Sequence, residues 1–152
     1  MNVRLRPATD ADLPLLREWR ALAENDEPYN FFGHRSVDPP VLSATSGTLV
    51  VDVDGEPAGD VGWRPVEYGM PPYSTAFAIG ISLRPAFRGR GVGTVAQRAL
   101  AEYLFAHTTA NRVEATTDVT NVAEQRALAK AGFTREGVLR GAQWRDGAWH
   151  DL

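Results

Sequence analysis

A glycine-rich segment between an apolar run and a helix constrains this chain most. Residues 88–94 read RGRGVGT and follow the apolar run at positions 76–83. Three glycines in five residues leave the backbone without Cβ atoms, so successive N–H groups can close around a bulky anion. The helix that begins at about Val92 adds its unpaired amides and the positive end of its dipole. Arg88 and Arg90 bring positive charge to the same place. The segment therefore predicts a phosphate-binding loop.

The composition is that of one globular domain. The chain has 152 residues, 43% of them hydrophobic and 23% charged, which is ordinary for a protein with a real core. Its net charge is −3 and its basic residues are scattered, whereas nucleic-acid binders usually present a basic face. Without cysteine, disulfides, thiolate metal sites and cysteine nucleophiles are excluded. The histidines, His34, His107 and His150, lack metal-ligand spacing, so no metal site is expected.

The chain shows no pattern of a targeting or membrane segment. Its first residues lack the apolar core of a signal peptide, and no apolar run reaches membrane-spanning length. We therefore expect a cytoplasmic protein, with one domain over residues 1–152 and with neither membrane nor nucleic acid as partner. The sequence leaves open whether the chain forms a homodimer.

Hydrophobic periodicity predicts an α+β fold with a mixed sheet. Asp54-Gly55 between two apolar runs indicates a hairpin, and Asp146-Gly147 a second one with Trp144 opposite Trp149. Two strands joined by the helix after the glycine-rich segment form a right-handed βαβ unit, so they are parallel. The predicted strands are residues 3–5, 48–53, 58–65, 76–83, 112–116, 133–140 and 143–145. Of the three predicted helices, one starts at a Thr9 cap, one at Val92 and one at an Asn121 cap.

Two helices carry further signals. The helix from Val92 to His107 is expected to turn one face inward. Asn121 is expected to cap the last helix, with Glu124 completing a capping box and Gly132 ending the helix in a left-handed conformation. The inward face is predicted to comprise Val92, Val95, Ala96, Ala99, Leu100 and Tyr103.

Two nucleotide-binding patterns compete for the glycine-rich segment. Residues 91–96 match the dinucleotide pattern G-x-G-x-x-A, and Glu114 lies at the distance of a ribose-binding acid. However, only roughly sixty residues follow and they end in a hairpin, whereas a dinucleotide fold continues with several βα units. The ATP-type loop is absent because no lysine follows these glycines. Neither nucleotide pattern fits the layout.

The layout resembles the GNAT superfamily of acyl-CoA N-acyltransferases. Residues 88–93 match its motif A, R/Q-x-x-G-x-G/A, after an apolar strand. Residues 121–133 resemble its motif B, in which an asparagine opens a helix that ends in Gly-Phe. The tail at 135–140 and 144–147 is similar to the branch that acetylates ribosomal-protein N-termini, the Rim type. The resemblance covers nearly the whole chain and implies a mixed, mostly antiparallel sheet with a central parallel βαβ unit flanked by helices.

This resemblance implies where acetyl-CoA would bind. The amides of residues 88–94 would hold the pyrophosphate, and the pantetheine arm would lie along residues 81–83 like an added strand. An amide near an expected bulge at Gly80 would stabilise the thioester oxyanion. Asn121 would reach the arm as well as cap its helix. The cofactor-binding residues implied are Ile81, Leu83, Arg88, Gly89, Arg90, Gly91, Val92, Gly93, Thr94 and Asn121.

Acetylation of an amine also needs a base, because an ammonium must lose a proton before it attacks. The resemblance favours Glu114, at the end of an Arg-Val-Glu strand typical of Rim-type sequences; the alternative is a solvent-facing strand carboxylate. Two loops, residues 25–46 and 66–73, would shape the acceptor pocket or cover the core. The substrate-binding candidates are Tyr29, Phe31, His34, Tyr68 and Tyr73, and Asp26 and Glu67 are alternative loop acids.

The chain departs from the family pattern in three places. Leu128 replaces the tyrosine that protonates the departing thiolate in many members, which leaves that step to water. Glu124 stands where a small Ser or Ala is usual. Relatives continue beyond the position of Leu152 through a longer final strand.

The sequence thus predicts an acetyl-CoA-dependent N-acetyltransferase that acts by direct attack in a ternary complex, without a metal. The acceptor is a primary amine, on a protein N-terminus or on a small molecule. The alternative is a non-catalytic CoA-binding domain that acts as a sensor or partner subunit.

Overall fold

Alternating apolar residues and a tight turn build the first part of the sheet. The computed structural model describes residues 1–26, 28–29, 43, 45–70 and 74–152, with the backbone alone at 20 and 22–26. The strands β2 (Gly47–Val53) and β3 (Glu56–Glu67) meet at Asp54-Gly55, where φ is 53° and 92°. Positive φ at both positions matches the twist of a two-residue hairpin. The predicted hairpin is confirmed, and β3 runs further than expected.

In the described part of the chain, five strands form the main sheet. With β1 (Val3–Arg6), β4 (Thr75–Leu83) and β5 (Val113–Glu114), the spatial order follows the sequence from β1 to β5. All neighbours are antiparallel except β4 and β5. The predicted α+β class and the parallel pair are confirmed, and this pair lies at one edge of the sheet.

The parallel pair is short. It joins Phe77 to Val113 and Ala78 to Glu114, and the strands separate beyond these pairs. The predicted strand over 112–116 is thus reduced to Val113–Glu114, and the chain turns at Asp118 after it has left the sheet. A fork between β4 and β5 results.

Helix α2 (Val92–His107) has the predicted bounds and covers one face of the sheet. The predicted inward face was wrong for Val95 and Tyr103, which are 44% and 42% exposed. The buried positions instead follow a spacing of four, so that Leu104 and the polar Gln97 are inside. The buried side chains of α2 are Val92, Ala96, Gln97, Leu100 and Leu104.

The other face of the sheet carries the first helix. Helix α1 (Leu13–Asp26) packs Leu16 and Trp19 against Val50 of β2. The expected start at Thr9 was wrong. Thr9 donates its N–H and hydroxyl to the Asp12 carboxylate, and this turn delays the helix to Leu13.

The chain ends in α3 (Val122–Ala131) and a separate hairpin, β6 (Gln143–Arg145) with β7 (Ala148–His150). Trp144 lies opposite Trp149 as predicted, with ring centroids 5.4 Å apart. The strand expected over 133–140 was wrong, because no strand in the described part of the chain pairs with these residues. Two backbone hydrogen bonds between Leu139 and Leu152 are the pairing observed there. Nowhere in the described ranges is a helix both long and apolar enough to cross a bilayer.

Candidate active site

A cavity of about 540 Å³ opens at the fork between β4 and β5. Its walls are the end of β4 from Ile79 to Leu83, the glycine-rich loop, residues 115–118 and one face of α3. Because β5 stops pairing at Ala78, the edge of β4 beyond it faces this cavity without a neighbouring strand among the described residues. An extended ligand can therefore add to β4 as a strand does.

The glycine-rich loop adopts the conformation that its sequence requires. Gly89 and Gly91 have φ of 69° and 83°, in the left-handed region that favours glycine, and Gly91 forms the N-cap of α2. A Cβ atom built on either glycine meets no atom within 4 Å. Open space thus lies before the first amides of α2, where an anion gains from the helix dipole.

The two loop arginines differ in position. The Arg88 side chain lines the cavity, and its Nε donates to the Leu83 carbonyl at 2.8 Å. Arg90 instead lies over the Phe87 ring, 5.8 Å from its centroid, and is outside the lining. Val92 is completely buried, so it can contribute only its backbone. The lining includes the predicted residues Ile81, Leu83, Arg88, Gly89, Gly91, Gly93, Thr94 and Asn121.

The expected bulge at Gly80 was wrong. The β3–β4 ladder runs in continuous register from Gly59–Leu83 to Glu67–Thr75, with Gly62 opposite Gly80. The fork alone frees the β4 edge.

Helix α3 brings Asn121 and Glu124 to the cavity. Asn121 caps the helix as predicted, since its Oδ1 accepts from the Glu124 N–H at 3.2 Å. The reciprocal half of the capping box was wrong. The Asn121 N–H donates to the Asp118 carbonyl, and the Glu124 carboxylate is near the Gln97 side chain of α2.

Glu114 lies at the apex of the fork, in the last parallel pair before the strands separate. The hydroxyl of Tyr68 donates to its Oε2 at 2.6 Å, and Nε of Arg112 donates to the same oxygen at 2.8 Å. This bond to the carboxylate raises the pKa of Tyr68. Arg112 also holds Glu136, whose pKa it lowers.

Glu114 and Tyr68 border a second cavity of about 760 Å³ rather than the first. The two cavities share the lining residues Ala115, Thr116, Thr117 and Leu152, so they meet just beyond Glu114. Of the other acceptor candidates, Tyr29 lines the first cavity. Phe31, His34 and Tyr73 lie outside the described residues.

Residues 2–134 match the family model of the acetyltransferase (GNAT) domain. The chain belongs to the GNAT family. The probable N-acetyltransferase YjcK of Bacillus subtilis (strain 168) is 39% identical over 136 residues. That alignment includes 90% of this chain and 65% of YjcK, so this GNAT chain spans less than two thirds of that curated relative.

Solved structures share the GNAT fold with this chain. Mycobacterium smegmatis RimJ in complex with CoA-disulfide has a TM-score of 0.77 at 23% identity, covering 98% of this chain and 78% of RimJ. The ribosomal L7/L12 α-N-protein acetyltransferase RimL in complex with coenzyme A has a TM-score of 0.80 at 19% identity, covering 99% of this chain and 90% of RimL. The aminoglycoside acetyltransferase AAC(6′)-Ib in complex with coenzyme A has a TM-score of 0.71 at 24% identity, covering 99% of this chain and 93% of AAC(6′)-Ib.

In this GNAT domain Leu128 is 9% exposed and borders the second cavity rather than the first. The position where many members carry tyrosine therefore brings no acidic proton to the first cavity. Among the described residues, no group of three or more His, Asp or Glu side chains could hold a metal ion.

Sequence reasoning missed a buried polar cluster beside the first cavity of the GNAT domain. Arg145 of β6 donates to Asp118, and each side chain is 3% exposed. Asp118 also accepts from the N–H and hydroxyl of Thr120 at 2.7 and 2.6 Å, and His150 lies 3.2 Å from it. The Arg145 guanidinium lies 5.7 Å from the Tyr29 ring centroid. No local pattern signals an ion pair between residues 27 apart.

We expect Asp118→Ala to destabilise the GNAT domain by about 3–5 kcal/mol, because it leaves Arg145 buried without a counter-ion. Bonds from Thr120 and the Arg145 charge lower the pKa of Asp118, so the contribution is complete at neutral pH. It falls away as the pH drops below about 4. Urea unfolding at pH 7 measures the difference. The double variant Asp118→Leu/Arg145→Leu should recover most of the loss; a single variant of wild-type stability would contradict the prediction.

Proposed function

We propose that this GNAT domain transfers the acetyl group of acetyl-CoA to a primary amine by direct attack in a ternary complex. The observation that carries the proposal is one cavity that joins an open glycine loop at a helix N-terminus to the part of β4 beyond its pairing with β5. Family membership supports the reaction class. Acetyl-CoA would supply an activated thioester, and the residues of the chain would position both reactants.

Binding follows from the shape of the cavity. The amides of residues 88–94 and the charge of Arg88 suit a pyrophosphate. The main chain of Ile81 on the β4 edge would pair with the amides of a pantetheine arm, whereas the Leu83 carbonyl already accepts from Arg88. Asn121 lies across from this edge on α3. This arrangement would bring the thioester to the fork, where a β4 N–H would stabilise the oxyanion.

The chemical step needs one proton acceptor. The amine nitrogen attacks the thioester carbon, the C–S bond breaks, and the thiolate leaves as an anion that water protonates. Glu114 at the fork apex is our choice for the group that removes the ammonium proton, directly or through one water. Tyr68 and Arg112 orient its carboxylate through their bonds to Oε2.

The acceptor is proposed as a class. A ribosomal-protein N-terminal acetyltransferase and an aminoglycoside acetyltransferase are both similar to this chain in fold, and a fold hosts many acceptors. We therefore propose that the acceptor is a primary amine on a protein N-terminus or on a small molecule. We also propose that the reaction takes place in the cytoplasm.

The experiment is thioester turnover, followed as release of the CoA thiol, against a panel of amines. The panel includes peptides with free N-termini, the same peptides with blocked N-termini as matched controls, aminoglycosides and polyamines. Turnover with one class and not with its blocked control is the expected result. Tight CoA binding without turnover on any amine would instead identify a non-catalytic CoA-binding domain.

We also expect NAD and ATP to bind at least about a hundredfold more weakly than acetyl-CoA, a gap of roughly 2.7 kcal/mol. A dinucleotide fold needs a parallel sheet with several βα units, whereas the main sheet described here contains one parallel pair. Calorimetric titration with the three ligands measures the gap. Tighter binding of NAD than of acetyl-CoA would refute the assignment of the loop.

A further inference from the structure

Glu124 places a carboxyl group in the cavity that holds the glycine-rich loop. It lies on α3 and lines the cavity, and its carboxylate is near the side chain of Gln97 on α2. Gln97 is 2% exposed, and its Nε2 donates to the carbonyl of Gly93 at 3.2 Å. The buried Gln97 amide is thus next to both the Glu124 carboxylate and the first turn of α2, whose amides would receive an anion.

The surroundings of Glu124 make its charge sensitive to an anion. Asp118, the other acidic side chain in the described lining of this cavity, is paired with Arg145. Arg98 of α2 donates to the Lys130 carbonyl of α3. Burial raises the pKa of Glu124, and the Gln97 side chain offsets part of that rise. A diphosphate at the start of α2 would repel the ionised carboxylate further. The other titratable side chains that line the cavity are Tyr29, Arg88, Asp118, Arg126 and Lys130.

We propose that Glu124 couples binding of the CoA diphosphate to the uptake of one proton. The carboxylate takes that proton from solvent when the diphosphate occupies the first turn of α2, and its ionised form weakens binding. This inference rests on the proposed CoA site and assigns a specificity-determining role to the residue that replaces the usual Ser or Ala.

The direction of the pH dependence follows. The pKa of Glu124 is higher with the diphosphate bound than without it, so CoA binds most tightly below the ligand-free pKa. The affinity decreases as the pH rises from the ligand-free pKa to the pKa of the complex, and is constant above it. At pH 8 we expect Glu124→Gln to bind CoA about tenfold more tightly than wild type, since each unit of further pKa rise corresponds to a factor of ten. The two affinities should approach each other as the pH falls below the ligand-free pKa of Glu124.

Calorimetric titration of CoA into each protein, at several pH values and in buffers of different ionisation enthalpy, reports affinity and proton uptake together. The phosphates of CoA also take up protons. The quantity to compare is therefore the number of protons taken up on binding by wild type and not by Glu124→Gln. Glutamine keeps an acceptor for Gln97, and a melting curve checks folding. Glu102→Gln, on α2 beside the second cavity, is the matched control and should behave as wild type.

Each other outcome overturns the proposal. Equal affinity and equal proton uptake in wild type and Glu124→Gln would show that Glu124 does not face the bound diphosphate. Weaker binding by Glu124→Gln at every pH would show that the ionised carboxylate accepts a bond from the ligand. In both cases the CoA site itself stands. If neither protein binds CoA, the proposed function fails as well.

Discussion

We expect Gly91→Val to abolish acetyl-CoA binding and Gly55→Val to leave it intact. Gly91 has φ of 83° and lines the cavity, and a Cβ atom built on it meets no atom within 4 Å. A β-branched side chain there would enter the volume of the anion and strain the N-cap of α2. We expect complete loss of measurable binding and a stability loss of about 1–3 kcal/mol.

Gly55 serves as the control, because it has a similar backbone conformation but lies outside the candidate binding site. Its φ is 92°, it also has nothing within 4 Å, and it lies in the β2–β3 hairpin. Calorimetric titration and urea unfolding of both variants separate the two effects, because the losses of stability should be similar and the losses of binding should not. Arg88→Ala should weaken binding less than Gly91→Val. Wild-type affinity in Gly91→Val would remove the loop from the binding site.

Glu114→Gln should lower turnover by about 10²–10⁴ while acetyl-CoA affinity stays unchanged, because the side-chain shape remains and the proton acceptor is lost. Steady-state rates across pH, together with a binding titration, measure both.

Glu136→Gln is the matched control, since Glu136 shares Arg112 with Glu114 but is exposed and lies outside the fork. A loss in Glu114→Gln that came only from a disturbed Arg112 would appear in Glu136→Gln too. If His34→Ala loses turnover and Glu114→Gln stays near wild type, Glu114 is only a strand carboxylate.

Local chemistry explains what was predictable. Positive φ at Gly55, Gly91 and Gly132 is a property of single residues, and the Asn121 cap spans four residues. The hairpin turns, the strand–loop–helix order and the bounds of α2 depend on such short-range terms, so the sequence alone determined them. The candidate anion-binding loop follows from the same terms.

Contacts between distant segments decided the rest. The pattern of α2 allowed several inward faces, and packing on the sheet buried Gln97 and exposed Val95. Only the approach of α3 to α2 brings Glu124 to Gln97, and only the return of β6 brings Arg145 to Asp118. Burial makes these pairs matter, because a charged group removed from water must find its partner in the protein. The sequence by itself determined the loop, and the tertiary structure decided which charges surround it.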